Sequence, residues 1–185
     1  MIVSDNVPST LGDTEKGGGL SHISAVANYF IECSKNEKIS LSNLSIQKLS
    51  YFAYGWIIVA EDEKLFYDRI EAWQYGPVIP SLYHQLKQFG RERITKKIMD
   101  YDFYEDKFYY WKLKADTPAE ILIRKAWNYY KSLSPRKMID LTHDRGTPWR
   151  QTVLEKGFNA EIDDRLIKDH FSEKLFDMGV LKNHE

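Results

Sequence analysis

One stretch constrains this chain more than any other: residues 45–60, SIQKLSYFAYGWIIVA. At about 100° per residue, Ile46, Leu49, Phe52, Ala53, Trp56, Ile57, Val59 and Ala60 fill one broad arc of a helix. Gln47, Tyr51, Tyr54 and Ile58 line the opposite side, with Lys48 and Gly55 between the two arcs. A helix that is apolar almost all round has no face to offer water and must be enclosed by other elements. The spacing therefore predicts a central helix from Ser45, as its cap, to about residue 60. Gln47 and the Tyr hydroxyls then need hydrogen-bond partners inside the fold or on another protein.

The remaining elements read as its covering. A first helix starts near Ser21 and buries Ile23, Val26, Ala27, Phe30 and Ile31 as one stripe. The segment IEAWQY alternates well enough for a short strand that Gly76-Pro77 ends. Pro80 suits the first turn of a helix that carries Leu82, Leu86 and Phe89 inward and stops at Gly90. Residues 94–113 read as a β-hairpin turning at EDK, with Phe103, Tyr104, Phe108, Tyr109, Tyr110 and Trp111 on its arms. Thr117-Pro118, Ser134-Pro135 and Thr147-Pro148 each open a further helix. A last helix spans about residues 161–177. The expected fold is mainly α with a small antiparallel β element. It forms a single compact helical domain over residues 21–180, behind a flexible tail at 1–20 that contains Gly17, Gly18 and Gly19.

Composition narrows the function classes. The 185 residues carry 26 basic and 27 acidic side chains, a net charge of −1, so no global field draws in nucleic acid or an anionic membrane. One cysteine, Cys33, permits no intrachain disulfide and suits a reducing cytoplasm. No apolar run reaches the roughly 18 residues that span a bilayer, and the first residues lack the pattern of a signal peptide. A cytoplasmic protein is expected. Twelve Tyr and five Trp are too many rings to bury without partners for their polar atoms, so some should sit half-exposed, where a protein surface could use them.

Reactive chemistry is sparse. The sequence contains no Walker loop, no G-x-G-x-x-G, no H-E-x-x-H and no paired Cys spacing. Cys33 lies mid-helix and reads as a core-edge residue. His143-Asp144 is the one pairing that could suggest a metal or an acid–base site, yet neighbours on a helix point about 100° apart. A His hydrogen-bonded near a helix C-terminus is the simpler reading. An enzyme would need His143 to converge with Asp144 or Glu71 in a pocket. The run KQFGRERITKK places Lys87, Arg91, Arg93, Lys96 and Lys97 close together; a solvated helix end is favoured over a nucleic-acid surface. No catalytic residue, metal or cofactor is expected.

Taken together, residues 41–90 resemble one family, the Panacea domain of SocA-like antitoxins and phage-associated proteins. The resemblance rests on Gln47, Lys48, Leu49, Tyr51, Gly55 and Trp56, then on Glu71, Ala72, Trp73, Tyr75, Gly76, Pro77, Val78, Pro80 and Tyr83. A second signature follows at Leu141, Thr142, His143, Pro148 and Trp149. The resemblance implies an antitoxin that neutralises a cognate protein toxin, encoded nearby, by direct binding. Presentation of the toxin to a protease is a further implied role. The alternative is a phage or prophage regulator acting on nucleic acid or its machinery, which would need a contiguous basic face.

An inhibitor of this kind needs rigid aromatic anchors rather than catalytic groups. Two places could supply them: the corner at 73–83 and the hairpin at 103–111. Tyr75, Tyr83, Tyr109 and Trp111 are the candidate partner-binding rings. Gln47, Lys48 and Tyr51 are candidates beside that corner, with an internal polar network as the competing reading. Trp56, Glu71, Trp73, Gly76, Pro77, His143, Pro148 and Trp149 are expected to be structural, with Trp73 and Val78 in the core.

Overall fold

A computed structural model describes residues 21–177. The expected tail at 1–20 and the end of the expected domain at 178–180 lie outside the described residues. The architecture is mainly α, with seven helices and two small antiparallel hairpins among the described residues, as the sequence pattern predicts.

The central helix, α2, spans Asn43–Ala60 and packs against α1 (Ile23–Asn36), α3 (Pro80–Leu86), α4 (Pro118–Tyr130), α5 (Pro135–His143), α7 (Asp164–Asp177) and the hairpin strand β2 (Gly76–Val78). Every residue from Ser45 to Ile58 is buried. The helix starts earlier than the spacing predicts: Ser42, not Ser45, is the cap, its hydroxyl accepting from Ser45 N at 3.3 Å. The cap of α1 is likewise His22 rather than Ser21, its Nδ1 accepting from Ser24 N.

Packing around α2 explains its composition. Gly55 lies under Phe171 of α7; a Cβ there would fall 2.3 Å from the ring. Phe52 stacks on Tyr130 of α4 with centroids 4.3 Å apart, and Trp56 Nε1 donates to the Tyr130 hydroxyl at 3.4 Å. The Tyr54 hydroxyl donates to Asp164 at 2.8 Å, so this polar atom of the helix is satisfied at the rim of the core.

The first hairpin differs from the expected single strand. Strand β1 (Glu71–Trp73) turns through Gln74 and Tyr75 into β2, so Gly76-Pro77 begins a second strand instead of ending the first. Pro77 sits opposite Ala72. Ala72 directs both backbone groups away from β2, its N–H to Ala160 O and its C=O to Asn159 N, both at 2.9 Å. The missing N–H of Pro77 therefore leaves no ladder bond broken. The same contacts, with Ile162 N donating to Ile70 O, cover the outer edge of β1 and delay the start of α7 to Asp164.

The second hairpin pairs β3 (Asp100–Asp102) with β4 (Lys107–Tyr109). Its strands are only three residues long, so Phe103 and Tyr104 ride on the turn rather than on the arms. Helices α4, α5 and α6 (Pro148–Lys156) all begin as read: Thr117, Ser134 and Thr147 are their caps and a Pro follows each.

Candidate interaction site

The separated motifs meet at one corner, where the first turns of α2, the β1–β2 hairpin, α3 and the α5–α6 junction come together. Gly76 is the pivot. Its φ is +97°, and a Cβ would fall 2.5 Å from Thr142 Oγ1 and 2.9 Å from Lys48 Cε. No other residue type fits that conformation and that closeness together. Gln47 Oε1 accepts from Ile79 N at 2.8 Å, and its Nε2 donates to Asn43. Lys48 Nζ donates to Pro77 O at 2.8 Å. These two side chains fasten the exit of the hairpin to the central helix.

From the other side, Trp149 Nε1 donates to Trp73 O at 2.8 Å. The His143 ring packs on Trp149 with centroids 3.6 Å apart. Its Nδ1 lies 2.8 Å from Ile139 O, and its Nε2 faces Gln74 O at 3.3 Å. Glu71 is engaged by Arg69 at 2.9 Å and by Trp73 Nε1 at 2.8 Å. Pro148 and Trp149 are buried, as is Trp56. Trp73 is half-buried rather than core, because its strand ends at the surface.

Above this scaffold lies an open groove of about 550 Å³. Gln47, Lys48 and Val78 line it from below, Trp73, Tyr75 and Tyr83 form its aromatic sides, and Lys87 and Arg91 lie along its rim. Tyr75 is 61% exposed at the hairpin turn. Tyr83 is half-buried, with its ring 5.0 Å from that of Trp73. Tyr51 is 2% exposed and packs edge-on to Phe171, away from this groove. Tyr109 and Trp111 are half-buried at the base of the second hairpin. Trp111 stacks on His22 with centroids 4.2 Å apart and donates to Asp100, so that hairpin is tied to α1. The sequence therefore brings Gln47, Lys48, Tyr75 and Tyr83 to one place, and Tyr51, Tyr109 and Trp111 to others.

Lys48 dominates the local electrostatics. It is 1% exposed, and burial pushes its ammonium down to about 7. A charged group this deep is costly unless it is paired, and its one acceptor among the described residues is a neutral carbonyl. Elsewhere, burial raises the Cys33 thiol above its ordinary range. Among the described residues no group of three His, Cys, Asp or Glu could hold a metal ion, and no helix is long and apolar enough to cross a membrane.

Sequence reasoning registered Lys87 and Arg91 only as part of a basic run. It overlooked Leu44, Gln74 and Asn159, which also line the groove. Asn159 comes from a distant segment and carries no local signal.

The family model described as Antitoxin SocA-like, Panacea domain, matches residues 46–150, which include all the motif positions of this corner. The chain belongs to this family. The protein is also 28% identical over 151 residues to Antitoxin SocA of Caulobacter vibrioides, a match covering 80% of each chain. No solved structure is a significant match.

Proposed function

We propose that this protein is an antitoxin that neutralises a cognate protein toxin by binding it directly, without catalysing a reaction. Membership of the SocA-like family supports the class of function. The observation that carries the mode of action is the corner itself. Two separated motifs hold one β-turn and helix start in place, and that corner leaves Tyr75 at the edge of an open groove. Rigid aromatic anchors beside a groove lose little conformational entropy on binding, which is what an inhibitor needs.

A cytoplasmic protein toxin encoded nearby is the partner this reading requires. Delivery of that toxin to a protease is compatible with the same contacts and is separable by measuring toxin half-life. The test is co-expression with the neighbouring open reading frame. Growth rescue and co-purification of the two proteins are expected. A neighbouring product that is harmless, or toxic and unaffected, would remove the reading.

A further inference from the structure

The groove carries a charge asymmetry that its aromatic walls do not explain. None of the described residues lining it is acidic, although the whole chain carries one more acidic than basic residue. Three of them are basic: Lys48 below, and Lys87 and Arg91 at the rim. Lys87 and Arg91 are exposed and take part in no ion pair among the described residues, so both charges are free to meet a ligand. Lys48 uses one N–H on Pro77 O and has no carboxylate partner among the described residues.

Neutral acceptors and apolar surface complete the lining. Val78 and Leu44 are apolar, and Trp73, Tyr75 and Tyr83 present rings. A charge beneath a partly enclosed groove acts through less water than one on an open surface, so its field on a bound group is stronger. The site thus offers positive charge to one group and apolar walls to its neighbours.

We propose that this groove binds an extended segment of the partner protein in which a carboxylate side chain is flanked by apolar ones. The carboxylate meets Lys87 and Arg91, with the buried Lys48 beneath them; the flanking side chains lie against Trp73, Tyr75 and Tyr83. The inference rests on the antitoxin reading for the identity of the partner, but the groove's preference is a property of this chain alone.

The test has two arms. In the first, the full chain labelled with nitrogen-15 is titrated with acetyl-Leu-Asp-Leu-amide and with its Asn counterpart. The Asp peptide should shift the amides of Tyr75, Gly76, Gly90 and Arg91, and should bind about tenfold more tightly than the Asn peptide, the value of a hydrogen bond between charged groups. Lys87→Glu and Arg91→Glu, both at exposed positions and so compatible with folding, should abolish that preference. Lys48→Met should weaken it. Equal binding of both peptides, or shifts located elsewhere, or none, overturns the proposal.

In the second arm, the same rim variants are co-expressed with the neighbouring gene product. Loss of rescue by Lys87→Glu and Arg91→Glu, with rescue kept by Arg136→Glu on α5, supports the groove. Rescue kept by all of them counts against it while leaving the antitoxin reading intact. If the wild-type chain itself fails to rescue, the antitoxin reading falls, and the peptide titration still decides what the groove binds.

Discussion

At the residue scale, two glycines and one lysine define the chain. Gly76→Ala places a Cβ 2.5 Å from Thr142 Oγ1 at a φ of +97°. Strain and overpacking together should cost about 3 kcal/mol in urea unfolding. Gly55→Ala drives a methyl into the Phe171 ring, 2.3 Å away, and should cost about 1–3 kcal/mol by the same measurement. Lys48 makes a prediction of the opposite kind. Burial pushes its ammonium down to about 7 in the fold from an ordinary 10.5, so between these values the unfolded chain binds the extra proton. Stability should therefore rise as pH increases, by about 2 kcal/mol from pH 7 to pH 9. Lys48→Met should flatten that rise. The window is bounded because His170, pushed down to about 4 by burial, and His22 act below it. Cys33 and the buried Tyr51, Tyr54 and Tyr130, all pushed upward by burial, act in the opposite sense above it.

At the scale of elements, local signals were readable wherever a short-range rule sets the structure. The Thr-Pro and Ser-Pro starts of α4, α5 and α6 are decided within four residues, and all three occur as read. Thr147→Ala should test how much one of them is worth. Its buried hydroxyl accepts from Arg150 N and donates to Thr142 O at 2.8 Å, joining α6 to α5. A loss of about 2 kcal/mol is expected by thermal or urea unfolding. The first hairpin was not legible, because Pro77 is tolerated there only as the partner of Ala72, whose backbone groups face away from β2, and no local pattern shows that register. The second hairpin was legible, but its rings divide in a way no local pattern shows. Trp111 packs on His22, whereas Phe103 and Tyr104 are 86% and 101% exposed. The double variant Phe103→Ser, Tyr104→Ser should leave the melting temperature within about 2 °C, since it removes no intramolecular burial of consequence.

At the scale of the whole molecule, the central helix was the most legible feature and the groove the least. An all-round apolar helix can only be enclosed, and α2 is. The groove depends on which surfaces remain open after the helices have packed, and on Asn159 arriving from far along the chain. Gln47, Lys48, Tyr75 and Tyr83 were marked from the sequence, and the fold brings all four to it; Tyr51 was marked with them, and the fold turns it into the core against Phe171. On the helix wheel Gln47 and Tyr51 share a side, and only the tertiary packing separates them. The most direct test of the central claim is the dissociation constant of the purified complex with the neighbouring gene's product, measured by calorimetry for the wild-type chain and for Tyr75→Ala. Tight wild-type binding that weakens about tenfold or more in a variant that melts normally is the predicted result. An unchanged dissociation constant in Tyr75→Ala, or no binding by the wild-type chain, would contradict it.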